Sequence, residues 1–214
     1  MELMEAIKTR RSIRVFSDKK LEKDVLEKII EAGNYAPSHC NMQGWKFIFI
    51  DNQDIKNKIF ENGGSHVIKN ASYGILVVYN KALVDNTAYQ DWIQSGAAAM
   101  QNMLLVLHSL GLGGCWICHL PRKKILNKML NIQKPYSPVA YLAFGYPKAT
   151  PIEVKRKKEI KEVYAINKFV WPGEKTPLKI YLKRIARKIY YIMPLFIKKM
   201  IFPIVDKFVK KFRN

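Results

Sequence analysis

The sequence predicts an α+β fold in which helices flank a mixed central sheet. Residues 92–110 follow a helical pattern whose polar positions lie almost only in two rows spaced by seven. A helix that is apolar around most of its circumference is buried on nearly all sides. Residues 45–50 and 73–79 are short apolar runs typical of strands buried on both faces, and residues 139–144 are the last predicted core strand. The length of 214 residues and the hydrophobic content of 49% suit one main core.

The first predicted helix, residues 2–9, runs into a basic segment. Arg10, Arg11, Ser12 and Arg14 follow one another as the chain enters an extended stretch. Guanidinium groups supply paired charged donors that suit a phosphate, and the serine hydroxyl adds one more. The alternative is a solvated basic turn.

An amphipathic helix is expected next over residues 20–32, with Gly33 ending it. The loop at residues 34–44 then carries four side chains of interest: Pro37, Ser38, Asn41 and Gln43. The three polar ones can donate and accept hydrogen bonds, as the edge of a heteroaromatic ring requires. An ordinary turn built of turn-forming residues is the alternative.

The later elements are shorter. We expect a helix over residues 54–60, a polar lid or substrate-contacting loop over 80–90, and a helix opened by Pro121. A basic cluster around Arg156 follows the last core strand. It either closes a phosphate site that begins at Arg10 or is a solvated run of charges.

The central helix is expected to stop at the glycines of residues 111–114, where glycine takes a left-handed position. Residues 115–118 then predict a buried strand, and the junction exposes backbone groups where a flat ligand could lie. A helix cap without a ligand is the alternative. The Cys115 and Cys118 side chains would point to opposite faces of a strand, which disfavours a dithiol. A metal site with His39, Cys40, Cys118 and His119 matches no familiar zinc spacing, so no metal site is predicted.

Positive charge is concentrated at the end of the chain. The formal net charge is +20, and residues 172–214 contain twelve Lys or Arg against two acidic residues. Residues 178–189 place apolar side chains on one helical face and basic ones on the other, and the pattern returns around Ile204 to Phe212. The longest uncharged apolar run has nine residues, whereas a bilayer-spanning helix needs roughly 20.

This composition predicts an interfacial anchor on an anionic membrane surface. The alternatives are a tail that wraps a partner subunit and nonspecific binding of nucleic acid through charge alone, and we expect no specific nucleic-acid partner. The N-terminus shows no signal-peptide pattern and the cysteine count is odd, which together favour a cytosolic protein with reduced thiols. We therefore expect peripheral attachment to the inner face of the cytoplasmic membrane.

Four motifs together resemble the nitroreductase family of FMN flavoproteins. They are RRSIRVFS at 10–17, APSHCNMQGW at 36–45, GAAAMQNMLLVLHSLGLGGCWI at 96–117, and GYP at 145–147 with Arg156 following. The resemblance covers residues 1–171, so we divide the chain into an FMN-binding domain at 1–171 and a basic amphipathic helical extension at 172–214.

The resemblance implies a nitroreductase-like homodimer with two FMN sites built from both chains. It implies that Arg10, Arg11, Ser12 and Arg14 hold the FMN phosphate and ribityl chain, with Arg156 closing over the phosphate. Pro37, Ser38 and Asn41 would come from the partner subunit. The backbone at residues 116–118 would line the isoalloxazine edge, which adds these residues to the expected site: Trp116, Ile117 and Cys118.

The implied activity is hydride transfer from NAD(P)H to the flavin, followed by electron transfer to a small organic acceptor such as a nitro compound or quinone. No side chain stands out as a catalytic acid or nucleophile. A non-catalytic flavin- or lipid-binding module acting through the basic tail is the alternative function. Two departures from the family pattern concern the site: Gly44, where proline is usual, should loosen the loop, and Cys118, where glycine is common, places a thiol near the flavin.

Overall fold

The structure, a computed structural model, describes residues 1–85, 88–173, 176–194, 197 and 200. The chain forms two compact units, Met1–Ile152 and Glu153–Asn214. The predicted boundary at 171/172 is a sequence-based division and stays a prediction. The helices of the first unit are α1 (Leu3–Thr9), α2 (Lys23–Asn34), α3 (Gln53–Glu61), α4 (His66–Asn70), α5 (Asp91–Ser109) and α6 (Lys123–Met129). Its strands are β1 (Trp45–Ile50), β2 (Tyr73–Asn80), β3 (Gly113–Ile117) and β4 (Tyr136–Gly145).

The four strands form one sheet in the order β1-β2-β4-β3, and every neighbouring pair is antiparallel. The α+β class is confirmed, but the expected mixture of strand directions is not found in these four strands. Parallel pairing occurs at one isolated bridge, between Ser12 and Gly114. Neighbouring strands of the sheet alternate in direction, and among the described residues the parallel pairing is confined to the N-terminal segment beside β3.

Helices cover both faces of the sheet. Ile75, Val77 and Tyr79 of β2 face a core shared with α2 and α5, whereas Leu76 and Val78 face a second core. The alternation of side chains along a strand produces these two cores. The prediction of burial on both faces is confirmed for β2 but is wrong for β1, whose middle residues are half-buried and whose Lys46 is exposed; β4 is a core strand, as expected. As an edge strand, β1 has a neighbour on one side only.

The central helix α5 forms where the polar pattern predicts it. Its Ala99, Met100, Met103 and Leu107 are fully buried, and its exposed positions are polar: Gln94, Gln101 and Ser109. The helix ends in a left-handed glycine, as expected, because Gly111 has a φ of 75°. The Leu112 N–H donates to Leu107 O at 2.9 Å, which closes a Schellman-type cap.

Gly33 does not end α2, which continues through Asn34. Its role is close packing, since a Cβ at Gly33 would lie 3.1 Å from Met103 Cγ and 3.1 Å from Phe47 Cζ. The absence of a side chain therefore lets α2 approach both α5 and the sheet.

The second unit contains helix α7 (Leu178–Ile192). Its N-terminal neighbour is Pro177, and it ends just before Pro194, near which the sequence predicts a break. The predicted repeat of the amphipathic pattern around Ile204 to Phe212 lies outside the described residues. Within the part of the chain that the structure describes, no helix is long and apolar enough to cross a bilayer.

Candidate functional site

The basic segment after α1 lies along the edge of β3. Ser12 pairs with Gly114, and the Ile13 N–H donates to Gly114 O at 3.0 Å. A Cβ at Gly113 would overlap the side chain of Ile13. Glycine at residue 113 therefore permits the close approach. The basic segment and the glycines at the start of β3, both expected to bind FMN, lie in contact.

The arginines of this segment are placed by local hydrogen bonds. Arg11 Nη1 donates to Lys8 O at 2.6 Å and to Arg10 O at 2.8 Å, so this guanidinium caps the end of α1. Its Nε is buried without a hydrogen-bond partner. Arg14 is exposed, and its Nη1 donates to Ser12 O at 3.1 Å. The segment thus offers donors beside an exposed serine hydroxyl.

The positive field of this cluster extends to the end of α5 and into β3. The pKa of His108 is lowered, first by burial and then by Arg10 and Arg11. Burial raises the pKa of the Cys115 thiol, while Arg14 and Arg10 oppose that rise. Arg10, Arg11 and Arg14 therefore add a positive potential around His108 and Cys115, on top of the larger effect of burial.

His108 joins the basic segment to α5, a contact that sequence reasoning missed. His108 Nε2 lies 2.7 Å from Thr9 Oγ1, and Thr9 Oγ1 donates its one proton to Glu5 O at 2.7 Å. The ring nitrogen Nε2 is therefore the donor to the threonine oxygen. The signal in the sequence was the polar His108 within an otherwise apolar helix, just before the glycine turn.

Beyond Gly114, β3 is an edge strand. Backbone groups alternate sides along a strand, and the carbonyl of Gly114 points away from β4 toward Ile13. By the same alternation Trp116 directs its N–H and C=O groups outward, whereas those of Ile117 face β4; Cys118 lies just beyond the end of the strand. Trp116 Nε1 is buried without a partner, and Cys118 is exposed. This edge can bind the polar rim of a flat ligand.

The loop before β1 is a tight polar turn. Ser38 Oγ accepts from the Gln43 N–H at 2.9 Å, and Asn41 Oδ1 accepts from Gln43 Nε2 at 2.7 Å. Cys40, Asn41 and Gln43 have positive φ values of 44°, 56° and 46°. Non-glycine residues in this conformation are strained and concentrate at functional sites. Pro37 is exposed at the start of the turn.

Gly44 does not loosen this loop as we expected from its departure from the family pattern. Its carbonyl accepts from the Asn80 N–H at 2.8 Å. A Cβ at Gly44 would lie 2.7 Å from Tyr79 Cε1. The glycine is therefore required for close packing against β2, and the loop is held there.

The loop and the basic segment lie at opposite ends of α5. The His39 N–H donates to Ser95 Oγ at 3.1 Å near the start of the helix, whereas Thr9 contacts His108 near its end. The thirteen residues from Ser95 to His108 correspond to about 20 Å of helix. One chain therefore presents two separated sets of the expected site residues.

Arg156 belongs to the second unit, where its segment is exposed. Its expected place over a phosphate stays a prediction.

The sequence matches the Nitroreductase family over residues 7–71 and 59–146. These overlapping segments contain the basic segment, the polar loop, α5 and β3. The chain belongs to the nitroreductase family.

Individual family members are similar over most of the chain. A protein of Methanothermobacter thermautotrophicus, provisionally assigned as an NADH dehydrogenase/NAD(P)H nitroreductase, is 33% identical over 155 residues, which is 71% of this chain and 80% of that protein. The FMN-dependent nitroreductase of Clostridium difficile has a TM-score of 0.69 at 27% identity, covering 78% of this chain and 99% of that one. A provisionally assigned nitroreductase of Desulfovibrio desulfuricans, crystallised with FMN, has a TM-score of 0.66 at 28% identity, covering 79% and 99%.

The residues of this family member fit FMN. The phosphate needs cationic donors, and the unpartnered Nε of Arg11 and the exposed Arg14 lie together at the end of α1. The isoalloxazine rim needs backbone donors and acceptors, and the outer edge of β3 at Trp116 has both. The bridge from Ser12 to Gly114 joins these two features directly.

Proposed function

We propose that the protein is an FMN-dependent NAD(P)H oxidoreductase that works as a homodimer and reduces a small organic acceptor, such as a nitro compound or a quinone. The observation that carries this proposal is the contact of the basic segment with the edge of β3, through the Ile13 N–H and Gly114 O. This contact supports the proposal because it joins the segment of arginines to the edge of β3, where we expect the ring to bind. Family membership supplies the class of chemistry.

Each part of the site has a separate task. Arg10, Arg11 and Arg14 bind the phosphate with charge-assisted hydrogen bonds, and Ser12 adds its hydroxyl. The outward backbone N–H of Trp116 would bind the ring and stabilise negative charge on it, with Cys118 beside it at the end of β3. FMN, when bound, would supply the redox chemistry that links NAD(P)H to the acceptor. We assign no side chain as the proton donor, and solvent or the acceptor itself supplies protons.

The separation of the two sets of residues along α5 supports the homodimer. A second copy in the opposite orientation would bring the Ser38 and Asn41 of one chain to the arginines of the other. Large apolar side chains are exposed near both ends: Leu3 at 62% and Met4 at 51% on α1, and Met42 at 45% in the polar loop. Clusters of this kind mark interaction surfaces.

An absorbance spectrum followed by anaerobic reduction tests the proposed activity. We expect purified protein to be yellow, to bleach with NADH or NADPH, and to recover its colour when a nitro compound or quinone is added. Protein that binds FMN but is not bleached by either nucleotide would instead favour the non-catalytic module. A colourless protein that takes up no added FMN would contradict both readings.

We further propose that α7 attaches the enzyme to the anionic inner face of the cytoplasmic membrane. Its apolar side chains form one exposed stripe, with exposed fractions of 71% for Leu178, 55% for Leu182 and 51% for Ile189. Its basic residues follow the other side of the helix, and α7 contains no acidic residue. Each Lys or Arg near an anionic surface contributes about 1 kcal/mol. The charge complementarity selects anionic lipid as the occupant of this face.

Vesicle sedimentation with the full chain tests this attachment. The double variant Leu182→Gln/Ile185→Gln removes apolar residues from the stripe, and Ile180→Gln is the matched control on the basic side. We expect the double variant to lose binding to phosphatidylglycerol vesicles, while Ile180→Gln keeps it and neither protein binds phosphatidylcholine. If the double variant still sediments like the parent, or changes the mass of the dimer instead, the tail has another partner.

A further inference from the structure

Two lysines approach the same buried indole at the start of α5. Lys81 Nζ lies 5.2 Å from the centroid of the Trp92 ring, and Lys123 Nζ lies 4.6 Å from it. They come from different elements, a 3₁₀ turn that follows β2 and the first position of α6. Trp92 is only 6% exposed, and Lys123 Nζ also donates to Ser137 Oγ at 3.1 Å. Lys123 is therefore fixed by a hydrogen bond, and both ammonium groups lie near the same buried ring.

The lysine pair carries positive charge that no ion pair balances within the part of the chain that the structure describes. Among the described residues neither ammonium group forms an ion pair with a carboxylate. Asp91, the acid in the first turn of α5, lies 3.6 Å from His39 Nδ1 instead. The pKa of Lys123 is lowered by burial and by Lys81, which is the expected effect of an uncompensated like charge. An anion between the two lysines would relieve this repulsion.

The lysine pair lies on the same end of α5 as the polar loop. The Asn80 N–H, directly before Lys81, bonds to the carbonyl of Gly44 in that loop. His39 of the loop contacts Ser95, one helical turn after Trp92. In the proposed dimer this loop borders the flavin ring of the partner, where the nicotinamide must lie. The phosphates of the dinucleotide would then extend past the loop.

We propose that Lys81 and Lys123 bind a phosphate group of the nicotinamide dinucleotide. The inference rests on the proposed function, because it takes NAD(P)H as the electron donor. The phosphate is either the 2′-phosphate, which only NADPH carries, or the pyrophosphate, which NADH and NADPH share. Lysine ammonium groups bind either one as point charges.

Steady-state kinetics of Lys81→Gln and Lys123→Gln, with a small quinone as acceptor, test the assignment. Lys124→Gln is the matched control, because it removes the same charge from the neighbouring exposed position on α6. We expect the KM for NADPH to rise about tenfold in each test variant, the size of one lost charge-assisted hydrogen bond. The kcat, the FMN content and the parameters of Lys124→Gln should stay within about twofold.

The two nucleotides distinguish the two sources of phosphate. A rise in KM for NADPH alone assigns the pair to the 2′-phosphate, and a rise for both nucleotides assigns it to the pyrophosphate. Unchanged KM values for both in a well-folded, flavin-loaded variant would overturn the assignment and leave the proposed function intact.

A binding measurement tests the lysine site independently of the proposed enzyme activity. If the parent protein is not reduced by either nucleotide, the proposed function fails, and binding of inorganic pyrophosphate by calorimetry then decides the lysine site. Weaker binding in Lys123→Gln than in Lys124→Gln would support a phosphate site, and equal binding would overturn it.

Discussion

Helices α5 and α7 show how the same types of apolar residue serve two different purposes in one chain. In α5, Met100, Met103 and Leu107 are fully buried, whereas in α7, Leu178 and Ile192 are 71% and 77% exposed. The difference follows from the distribution of charge. After Asp91 at its start, α5 has no Lys, Arg, Asp or Glu, whereas α7 contains basic residues along its length. A helix that is apolar on nearly all sides is buried in the core. A helix with one basic face keeps an apolar face exposed, and that face is available to another surface.

The difference between α5 and α7 should be greatest in how each helix contributes to the free energy of unfolding. We expect Leu107→Ala to lower the free energy of unfolding by about 2–5 kcal/mol, because it opens a cavity in the core. Leu182→Ala in α7 should change it by no more than about 0.5 kcal/mol, since an exposed side chain is removed. Urea denaturation followed by tryptophan fluorescence measures both. Equal losses would mean that the stripe of α7 is packed against protein in solution.

A smaller effect, on FMN affinity, is expected at the C-terminal end of α5, where the basic segment lies. Arg14→Gln should weaken FMN binding at least tenfold, since a hydrogen bond to a charged group contributes about 1.5–3 kcal/mol. Fluorescence titration of FMN measures the affinity. Lys8→Gln, an exposed position on α1, is the control that should bind like the parent, as should Lys183→Gln in α7. A similar loss in all three variants would reflect net charge rather than a site.

A mixing experiment tests whether the two ends of α5 serve different flavins. Ser12→Ala/Arg14→Gln damages the phosphate end, and Ser38→Ala/Asn41→Ala damages the loop end. Each variant alone should lose FMN binding. Random mixing yields half mixed dimers, each with one undamaged site, so about a quarter of the parental sites should return. Flavin content after denaturation and refolding of the mixture measures this. No recovery would contradict a site shared between chains.

The smallest effect concerns His108 and pH. Its pKa in the folded protein lies below the unfolded value near 6.5. The unfolded state therefore binds the proton first as the pH falls, so stability is complete above about pH 6.5 and decreases below it. His108→Gln should reduce this decrease between pH 6.5 and 5, as measured by urea midpoints. An unchanged pH dependence would show that other groups cause it.

Much of the fold was predictable from local patterns. The boundaries of β1 were correct to the residue, and those of α5 and β2 to within one residue, because burial imposes a period on the sequence. The environment of each strand was less predictable. Residues 45–50 are as apolar as an interior strand, yet β1 is at the edge of the sheet, since strand order depends on the whole chain. Gly33 likewise suggested a helix end, but its role is defined by Met103, seventy residues away.

The site was predicted in parts. The types and spacing of Arg10, Ser12 and Ser38 indicated phosphate and ring binding, because those chemistries need particular donors. Their distribution over the two ends of α5 could not be predicted from their spacing in the sequence, because that spacing does not fix where residues lie in the folded chain. The contact of His108 with Thr9 and the approach of Lys81 and Lys123 to Trp92 each join residues that are distant in the chain.

The sequence alone determined which of the described segments are helix or strand, which faces are apolar, and that α7 is a basic amphipathic helix. Those properties are local, since they follow from side-chain type and backbone period. The tertiary structure decided that the sheet is antiparallel, that Ser12 meets Gly114, and that the polar loop lies about 20 Å from the basic segment along α5. These are contacts between residues far apart in the chain, and only the packing of helices against the sheet selects them.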